Sequence, residues 1–206
     1  GTRYITIGGM LASDVHGKNH HLLGSFSRHV IGFNLLTADG GICWIDRHTD
    51  LDIFLTTAGG MGLTGAILSV RFRLIPIKTS WISQKIHKIE TLSELLKIIN
   101  NTKSSNYSVA WIDCLAQGNI IGRSLLILGE HANPEELPVS KQIKPLQLDL
   151  TQKAIIPFDF PGFIINRWSV KTFNAIYYNR IIQKKNYKVV PLINFFYPLD
   201  AVQNWN

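Results

Sequence analysis

The residues best suited to chemistry lie near the start of the chain, where residues 8–21 read GGMLASDVHGKNHH. A strand-like run over residues 2–7 leads into Gly8 and Gly9, and a helix-compatible segment follows over residues 10–13. A glycine pair at such a junction lets a ligand approach the backbone closely and leaves N–H groups facing outward. The sequence therefore predicts a phosphate or pyrophosphate site at the two glycines.

An imidazole and an ammonium follow this predicted anion site within a few residues, at His16 and Lys18. His16 is suited to hydrogen-bonding a ring edge or orienting a substrate hydroxyl, and Lys18 to attracting a phosphorylated substrate. The alternative for Lys18 is a solvated loop lysine. His16, His20 and His21 have usable spacing for a metal, but no cysteine and few carboxylates are near them, so we predict no metal site.

Several motifs occur in a recognisable order over about 65 residues. They are residues 1–9, 13–21, 24–26, 35–40 and the glycine-rich 59–65, and a weaker likeness returns at 194–200 and 205–206. In this order they resemble the second half of the PCMH-type FAD-binding domain of the vanillyl-alcohol-oxidase superfamily. The glycine-rich segment lacks the Gly-Lys-Ser/Thr ending of a nucleoside-triphosphate loop, so we expect a tight bend that packs against the cofactor.

The resemblance implies FAD as cofactor and assigns its contacts. The residues implied to contact the pyrophosphate and flavin are Gly1, Thr6, Ile7, Gly8, Gly9, Ser13, Asp14, Val15 and His16. Ile67 is implied to lie against the adenine half, although an aliphatic residue there also suits an ordinary core. His16 and Lys18 are the two residues implied to take part in catalysis. Ser13 departs slightly from the family, which often has a smaller residue there.

The resemblance also implies a reaction, which is hydride transfer from a sugar CH–OH group to flavin. The expected substrate is a sugar or a polyprenyl-phosphate sugar such as a ribose, with the reductase of an epimerisation as a partner. Another sugar-alcohol or lactone oxidase is the alternative within the class. A non-catalytic basic module that binds nucleic acid or an anionic membrane is the alternative from a different class.

Two parts of the family pattern are not recognised in these residues. They are the other pyrophosphate-binding loop and the C-terminal segment with the catalytic lysine and tyrosine. We therefore expect the 206 residues to be a fragment that lacks both ends, is inactive by itself and binds FAD weakly.

The element pattern predicts an α+β fold in two domains that meet after Pro76. Residues 1–76 are expected to be the second FAD-binding subdomain, with strands at 29–37, 42–45 and 66–75, an Asp-Gly hairpin turn at Asp39-Gly40 and a short helix at 50–57. Residues 77–206 are expected to be part of an antiparallel-sheet substrate domain. Its predicted strands are 81–89, 107–114 and 122–129, and a Thr91–Glu94 capping box starts a helix with Leu92, Leu95, Leu96 and Ile99 on one face.

The charge is unevenly distributed, with a net value of +7. Residues 1–76 carry six basic and five acidic residues, whereas residues 77–206 carry fifteen and nine. The basic, aromatic stretch 160–199 is compatible with nucleic acid, with a membrane or lipid-phosphate surface, or with a core helix that has a cationic outer face. A helix is predicted over 169–183 with Val170, Phe173, Ile176, Tyr177 and Ile181 inward. We expect no nucleic-acid partner, and a cytoplasmic protein with peripheral contact to the inner membrane.

Hydrophobic residues make up 46% of the chain and charged residues 17%. The charged share is below the roughly 25% of an average domain, which suggests surface that is covered by other chain or a ligand. No apolar run reaches the roughly 18 residues of a membrane-spanning helix. Cys43 and Cys114 are predicted to be reduced thiols packed as small apolar groups, and no histidine in the sequence marks Asp113-Cys114 as a nucleophile.

Overall fold

The computed structural model describes residues 3–102, 105–148, 154–155, 161–181, 187–198 and 202–203. The chain divides into two compact units, of which the first ends at Pro76 and the second begins at Ile77. Helices and antiparallel sheets occur in both, which confirms the α+β prediction. The assignment of the units to FAD-binding and substrate domains stays a prediction.

The first unit contains a three-stranded antiparallel sheet in the order β2-β1-β3. Its helices and strands are α1 (Ile7–Ala12), α2 (His20–Leu23), β1 (Val30–Leu36), β2 (Ile42–Asp46), α3 (Leu51–Thr57) and β3 (Ala66–Phe72). One cluster of buried side chains joins the sheet to α1 and α3, and consists of Leu11, Val30, Phe33, Leu35, Ile45 and Phe54. Apolar burial of this kind is the main stabilising contribution to the unit.

Local sequence explains the ends of these elements. Gly40 has a φ of +84°, and the Thr37 amide donates to the Gly41 carbonyl over 2.9 Å, which closes the predicted hairpin. Asp50 accepts from the Ile53 amide over 3.0 Å and so caps α3. The predicted strands and helix of residues 29–75 are therefore confirmed, with small changes in their ends.

The prediction of a strand over residues 2–7 is wrong for the described residues. Residues 3–6 have no regular structure, and Ile7 already lies in α1. The β-branched residues suggest a strand, but the Thr6 hydroxyl accepts from the Gly9 amide over 3.1 Å and starts a helix instead. Gly8 and Gly9 thus lie in the first turn of a helix, not at a junction before it.

The second unit is built on a four-stranded antiparallel sheet in the order β5-β6-β4-β8. Its elements are β4 (Trp81–Ile89), α4 (Leu92–Asn101), β5 (Tyr107–Ile112), β6 (Ser124–His131), α5 (Val139–Gln142), β7 (Ala154–Ile155), α6 (Arg167–Asn179), β8 (Tyr187–Pro191), α7 (Leu192–Phe196) and β9 (Val202–Gln203). β7 and β9 form a short parallel pair. No helix in the described part of the chain combines the length and apolar character needed to cross a bilayer.

Helices cover both faces of this sheet. Leu126 of β6 belongs to a buried cluster with Leu95 of α4, and the neighbouring Leu125 belongs to one with Tyr178 of α6. Because successive residues of a strand point to opposite faces, α4 and α6 lie on opposite sides. Phe195 of α7 packs in a third cluster with Ile82.

The predicted inner face of α4 is only partly correct. Leu95 is buried, and Ile98 packs beside it. Leu92, Leu96 and Ile99 are exposed. The apolar face of α4 is wider than the part of the helix that packs against the sheet, so these three side chains remain exposed to solvent.

The predicted inner face of α6 is also partly wrong. The buried residues are Asn174 and Tyr178, whereas Phe173 and Ile176 are exposed. The Asn174 amide donates to Asp113 over 2.7 Å, and the Tyr178 hydroxyl donates to the Ile89 carbonyl over 2.9 Å. These two polar anchors, which apolar periodicity does not reveal, determine the rotation of the helix.

The two cysteines differ from their prediction in one respect. Both thiols are free, but Cys43 and Cys114 are exposed and are not packed as apolar groups. In β2 only Ile45 is buried, so Cys43 lies on a strand with little covered surface.

Asp113 is the buried polar centre of the second unit and is only 2% exposed. Its carboxylate accepts from Arg123 Nε over 2.8 Å, from the Leu115 amide over 3.0 Å and from Asn174. Burial acts to raise the pKa of Asp113, but the hydrogen bonds from these three groups outweigh it and hold the pKa below its ordinary value. The ion pair with Arg123 lies within the β5–β6 connection, and the hydrogen bond from Asn174 joins this connection to α6.

Asp113→Asn should lower the free energy of unfolding of the second unit by about 3 kcal/mol, because Arg123 would lose its charged partner inside the protein. Urea denaturation followed by circular dichroism measures this change. The exposed Glu135→Gln is the matched control and should stay within about 0.5 kcal/mol of the unchanged protein. A loss below about 1 kcal/mol for Asp113→Asn would contradict the structural role.

The same carboxylate predicts a pH dependence. Its folded-state pKa lies below the unfolded value of about 3.9, so its contribution to stability is present above about pH 4. That contribution is lost as the pH falls through the folded-state pKa. The stability difference between the unchanged protein and Asp113→Asn should therefore shrink on acidification, as urea melts across this pH range would show.

Candidate functional site

The C-terminal end of α1 is joined to the glycine-rich bend, which we define as residues 59–65. The Gly59 amide donates to the Leu11 carbonyl over 3.1 Å, and the Met61 amide donates to the Ala12 carbonyl over 2.8 Å. These backbone bonds bring together two segments that lie far apart in the sequence. The bend therefore fixes the position of α1 over the start of β3.

Glycine is required at particular points of this bend. A Cβ on Gly60 would lie 2.1 Å from the Thr56 carbonyl oxygen. At Gly65 the φ is +145°, and a Cβ would lie 2.3 Å from the Leu36 carbonyl oxygen. No side chain can be accommodated at either position without moving the backbone, because these separations are far below van der Waals contact.

A cavity of about 460 Å³, which is a groove largely open to solvent, lies between the start of α1 and the bend. Its lining consists of small or aliphatic residues, namely Thr6, Gly8, Gly9, Ala12, Gly62, Gly65, Ala66 and Ile67. A Cβ added to Gly62 would meet no atom within 4 Å. The small side chains of the lining therefore leave backbone atoms accessible to a ligand. The volume is in the range of small-molecule binding sites.

The structure brings four of the predicted site residues to this cavity, which are Thr6, Gly8, Gly9 and Ile67. Gly1 lies outside the described residues. Ala12, Gly62, Gly65 and Ala66 were missed as individual site residues, although the bend itself was expected to pack against a cofactor. The density of glycines in residues 59–65 is the signal that points to Gly62 and Gly65, whereas Ala12 and Ala66 have no such signal.

The amides at the start of α1 differ in their availability. Thr6 Oγ1 accepts the Gly9 amide, whereas helix geometry provides no acceptor within the helix for the amides of Ile7 and Gly8. Gly8 faces the cavity, and a Cβ there would be in ordinary contact with Ile67 at 3.7 Å. A negatively charged ligand group in the cavity would therefore meet backbone rather than a bulky side chain.

The residues after α1 are engaged mainly within the protein. Ser13 Oγ donates to Met61 Sδ over 3.7 Å, and the Val15 amide donates to the Met10 carbonyl over 3.0 Å. Neither residue lines the cavity. Their predicted contact with a cofactor stays a prediction.

Asp14 holds the following loop in place. It has a φ of +40°, and its carboxylate accepts from Ser25 Oγ over 2.7 Å and from the Ser27 amide over 2.8 Å. Partial burial acts to raise the pKa of Asp14, but these hydrogen bonds, with a smaller contribution from the Arg47 charge, outweigh it and lower the pKa. The carboxylate is therefore committed to the loop and stays ionised at neutral pH.

His16 and Lys18 lie in the loop that Asp14 positions. His16 forms an isolated antiparallel bridge with Ser25, and its ring centroid is 5.0 Å from that of His20. Lys18 is half-buried, and burial lowers the pKa of its ammonium. Among the described residues, no group of three or more His, Cys, Asp or Glu side chains is arranged to hold a metal ion.

Comparison with known proteins adds a family to this geometry. No family model matches the chain. The chain is 34% identical, over its whole length, to the decaprenylphosphoryl-β-D-ribose oxidase of Mycolicibacterium smegmatis. The chain belongs to the family of this oxidase. The recognition of an oxidase family from the motifs is thereby confirmed.

The match covers only part of this relative. The chain spans 45% of the length of the mycobacterial oxidase. A Streptomyces coelicolor protein, described as an uncharacterized protein in the mprA 5′ region, is 39% identical over 71% of the chain, which corresponds to 40% of that protein.

Two substitutions of Asp14 should separate its charge from its backbone conformation. Asp14→Ala should lower the free energy of unfolding by about 2–3 kcal/mol, because two bonds to a carboxylate are lost and φ is positive. Asp14→Asn should cost about 1 kcal/mol, because Asn tolerates this φ and keeps one acceptor. Urea denaturation checks both values, with the exposed Asp52→Asn as control. Equal losses for the two Asp14 variants would contradict this explanation.

Proposed function

We propose that this chain is part of an FAD-dependent oxidoreductase that oxidises a sugar CH–OH group, with a polyprenyl-phosphate ribose as the substrate. The observation that carries the proposal is the glycine-lined cavity between α1 and the bend, in a chain related to decaprenylphosphoryl-β-D-ribose oxidase. The relative supports an oxidase. The cavity supports a ligand that requires close approach to backbone.

The described residues fit one part of FAD. The cavity of about 460 Å³ has small residues on two sides, and the Gly8 amide at its edge is not used within the helix. A pyrophosphate needs such backbone donors and an absence of bulky side chains. Ile67 offers an aliphatic surface of the kind that an adenine ring packs against.

The proposed assignment follows this chemistry. Thr6, Gly8 and Gly9 hold the pyrophosphate side, and Ile67 contacts the adenine half. Gly1, Ile7, Ser13, Asp14 and Val15 stay in the proposed set from the family pattern, where Asp14 acts through the loop that it holds. Bound FAD would supply the hydride acceptor, while the protein positions the reactants and excludes water.

His16 and Lys18 are proposed to act on the substrate. The bridge to Ser25 and the contact with His20 restrict the position of His16, so its imidazole can orient a substrate hydroxyl. Burial makes the Lys18 ammonium poorly solvated, and a phosphate group would stabilise its charge. The two side chains would then hold opposite ends of a phosphorylated sugar.

The two units have different roles in this proposal. The first unit is the second FAD-binding subdomain, and the second unit is part of a substrate domain. The chain spans 45% of the length of its mycobacterial relative. A reductase that completes an epimerisation would be its functional partner.

Gly8→Ala should weaken FAD binding by the complete protein by about tenfold or more, because a methyl group at the cavity edge hinders a pyrophosphate. The fold should not suffer, since the new Cβ has ordinary contacts and alanine favours a helix by about 1 kcal/mol. Calorimetric titration with FAD and urea denaturation measure the two effects. Gly9→Ala is less suitable, because its Cβ would lie 3.0 Å from the Thr6 hydroxyl that caps α1.

The matched control is Gly162→Ala, whose Cβ would meet no atom within 4 Å. It should leave FAD affinity unchanged. If Gly8→Ala binds FAD as tightly as the unchanged protein, the cavity is not the pyrophosphate site.

His16→Ala should slow substrate-dependent flavin reduction more than it weakens FAD binding. Lys18→Met should weaken binding of a phosphorylated substrate by about 1–3 kcal/mol through loss of a charged hydrogen bond. Stopped-flow absorbance of the flavin measures both, with the exposed His48→Ala as control. Unchanged kinetics and substrate affinity would remove His16 and Lys18 from the proposed site.

A further inference from the structure

The outer surface of α6 and of the turn before it exposes several large apolar side chains. Phe163 is 78% exposed, Ile165 77% and Trp168 76%. Phe173 and Ile176, farther along the helix, are 59% and 64% exposed. Six exposed apolar residues lie within residues 163–176, but residues 51–63 also contain five, so the number alone does not mark a binding surface. The charge that accompanies these residues on α6 decides the interpretation.

This surface is held rigidly by the start of the helix. Asn166 Oδ1 accepts from the amides of Trp168 and Ser169 over 2.8 and 3.1 Å and caps α6. The Asn166 side-chain amide also donates to the Phe163 carbonyl over 2.9 Å, and Ser169 Oγ donates to the Ile164 carbonyl over 2.6 Å. The turn at residues 162–165 is thus tied to the helix.

The orientation of the helix is equally determined. Asn174 bonds to the buried Asp113, and Tyr178 bonds to the Ile89 carbonyl. With these residues inward, Phe173 and Ile176 must face outward. Turning the apolar side chains toward the sheet would break both hydrogen bonds, so their exposure is a consequence of the fold.

The same segment of the chain carries basic residues and no acidic ones. The sequence contains no acidic residue between Asp159 and Asp200. Arg167 and Lys171 are exposed at the start of α6, and Arg180 follows its end, with its guanidinium 5.0 Å from the Tyr177 ring centroid. We name Phe163, Ile165, Trp168, Phe173, Ile176, Arg167, Lys171 and Arg180 together the apolar–basic face.

A second helix in the same unit shows that exposure alone does not give this pattern. Leu92, Leu96 and Ile99 of α4 are also exposed. The charged residues of α4 are one acidic and one basic, Glu94 and Lys97. α6 therefore combines exposed apolar side chains with basic residues and no acidic ones, whereas α4 carries one charge of each sign.

The composition of the apolar–basic face favours lipid over nucleic acid. Aliphatic side chains such as Ile165 and Ile176 gain free energy in hydrocarbon but offer no ring on which a base can stack. Tryptophan prefers the boundary between headgroups and acyl chains, and arginine and lysine beside it can reach lipid phosphates. We propose that the apolar–basic face docks this protein on the surface of an anionic lipid bilayer, without crossing it.

Vesicle co-sedimentation of the full chain tests the proposal. The probes are vesicles of phosphatidylglycerol and phosphatidylcholine in equal parts, and vesicles of phosphatidylcholine alone. Binding should be at least about tenfold tighter to the anionic vesicles and should weaken with salt. Arg167→Gln with Lys171→Gln should weaken it by about fivefold for each lost charge.

Removing the apolar part should have an independent effect. Trp168→Ser with Phe173→Ser should weaken binding by about tenfold or more, because two rings no longer enter the headgroup boundary. The matched control is Leu92→Ser with Leu96→Ser on α4, which removes exposed apolar residues from outside the apolar–basic face and should leave vesicle binding unchanged. Circular dichroism verifies that each variant is folded.

Several results would overturn the proposal. They are absence of binding to the anionic vesicles, equal binding to both kinds of vesicle, and unchanged binding in folded α6 variants. Loss of binding in the α4 control as large as in the α6 variants would do the same. Salt-sensitive retardation of a single-stranded oligonucleotide that requires Arg167 and Lys171, without vesicle binding, would assign the face to nucleic acid instead.

Discussion

The arrangement of the first unit depends on close contact between two stretches of backbone. The amides of Gly59 and Met61 bind carbonyls of α1, and the glycines of the bend allow this approach because a Cβ at Gly60 or Gly65 would overlap a carbonyl oxygen. The contact brings the start of α1 opposite Ile67 and leaves the cavity between them. The same absence of side chains that permits the backbone contact also exposes backbone to a ligand, so packing and binding share one cause.

The second unit depends on a different interaction, the buried carboxylate of Asp113. By accepting from Arg123 and Asn174 it joins a strand connection to α6 and, with Tyr178, determines the face that the helix turns outward. A buried polar group must be hydrogen-bonded, so this requirement outweighs the burial of Phe173 and Ile176. The exposure of Phe173 and Ile176 follows from that choice.

Much of the fold was predictable from local patterns. The Asp39-Gly40 hairpin and the helix that starts at residue 50 depend on interactions within a few residues, and the structure contains both. Of the Thr91–Glu94 capping box it contains the Thr91 cap, whereas the Glu94 carboxylate accepts from the Glu90 amide. The strand over residues 2–7 was wrong, because a hydroxyl cap outweighed the β-branched pattern. The inner faces of α4 and α6 were partly correct, since Leu95, Tyr177 and Ile181 pack in the core, whereas distant polar partners keep Phe173 and Ile176 exposed. Of the candidate site, the glycine pair and Ile67 were recognised, whereas Ala12 and Ala66 carry no chemical signal of their own.

The sequence by itself determined the oxidase family, the α+β class and the segments rich in glycine, histidine and positive charge, since all of these are encoded in local residue order. Tertiary structure alone decided that Gly8 and Ile67 line one cavity, that the Asp14 carboxylate serves Ser25 and Ser27, and that Asn174 rather than Phe173 faces the sheet. These outcomes depend on hydrogen bonds or contacts between residues that are distant in the sequence. The separation is 11 positions for Asp14 and Ser25, and 61 positions for Asp113 and Asn174. Periodicity in a short window contains no information about such partners.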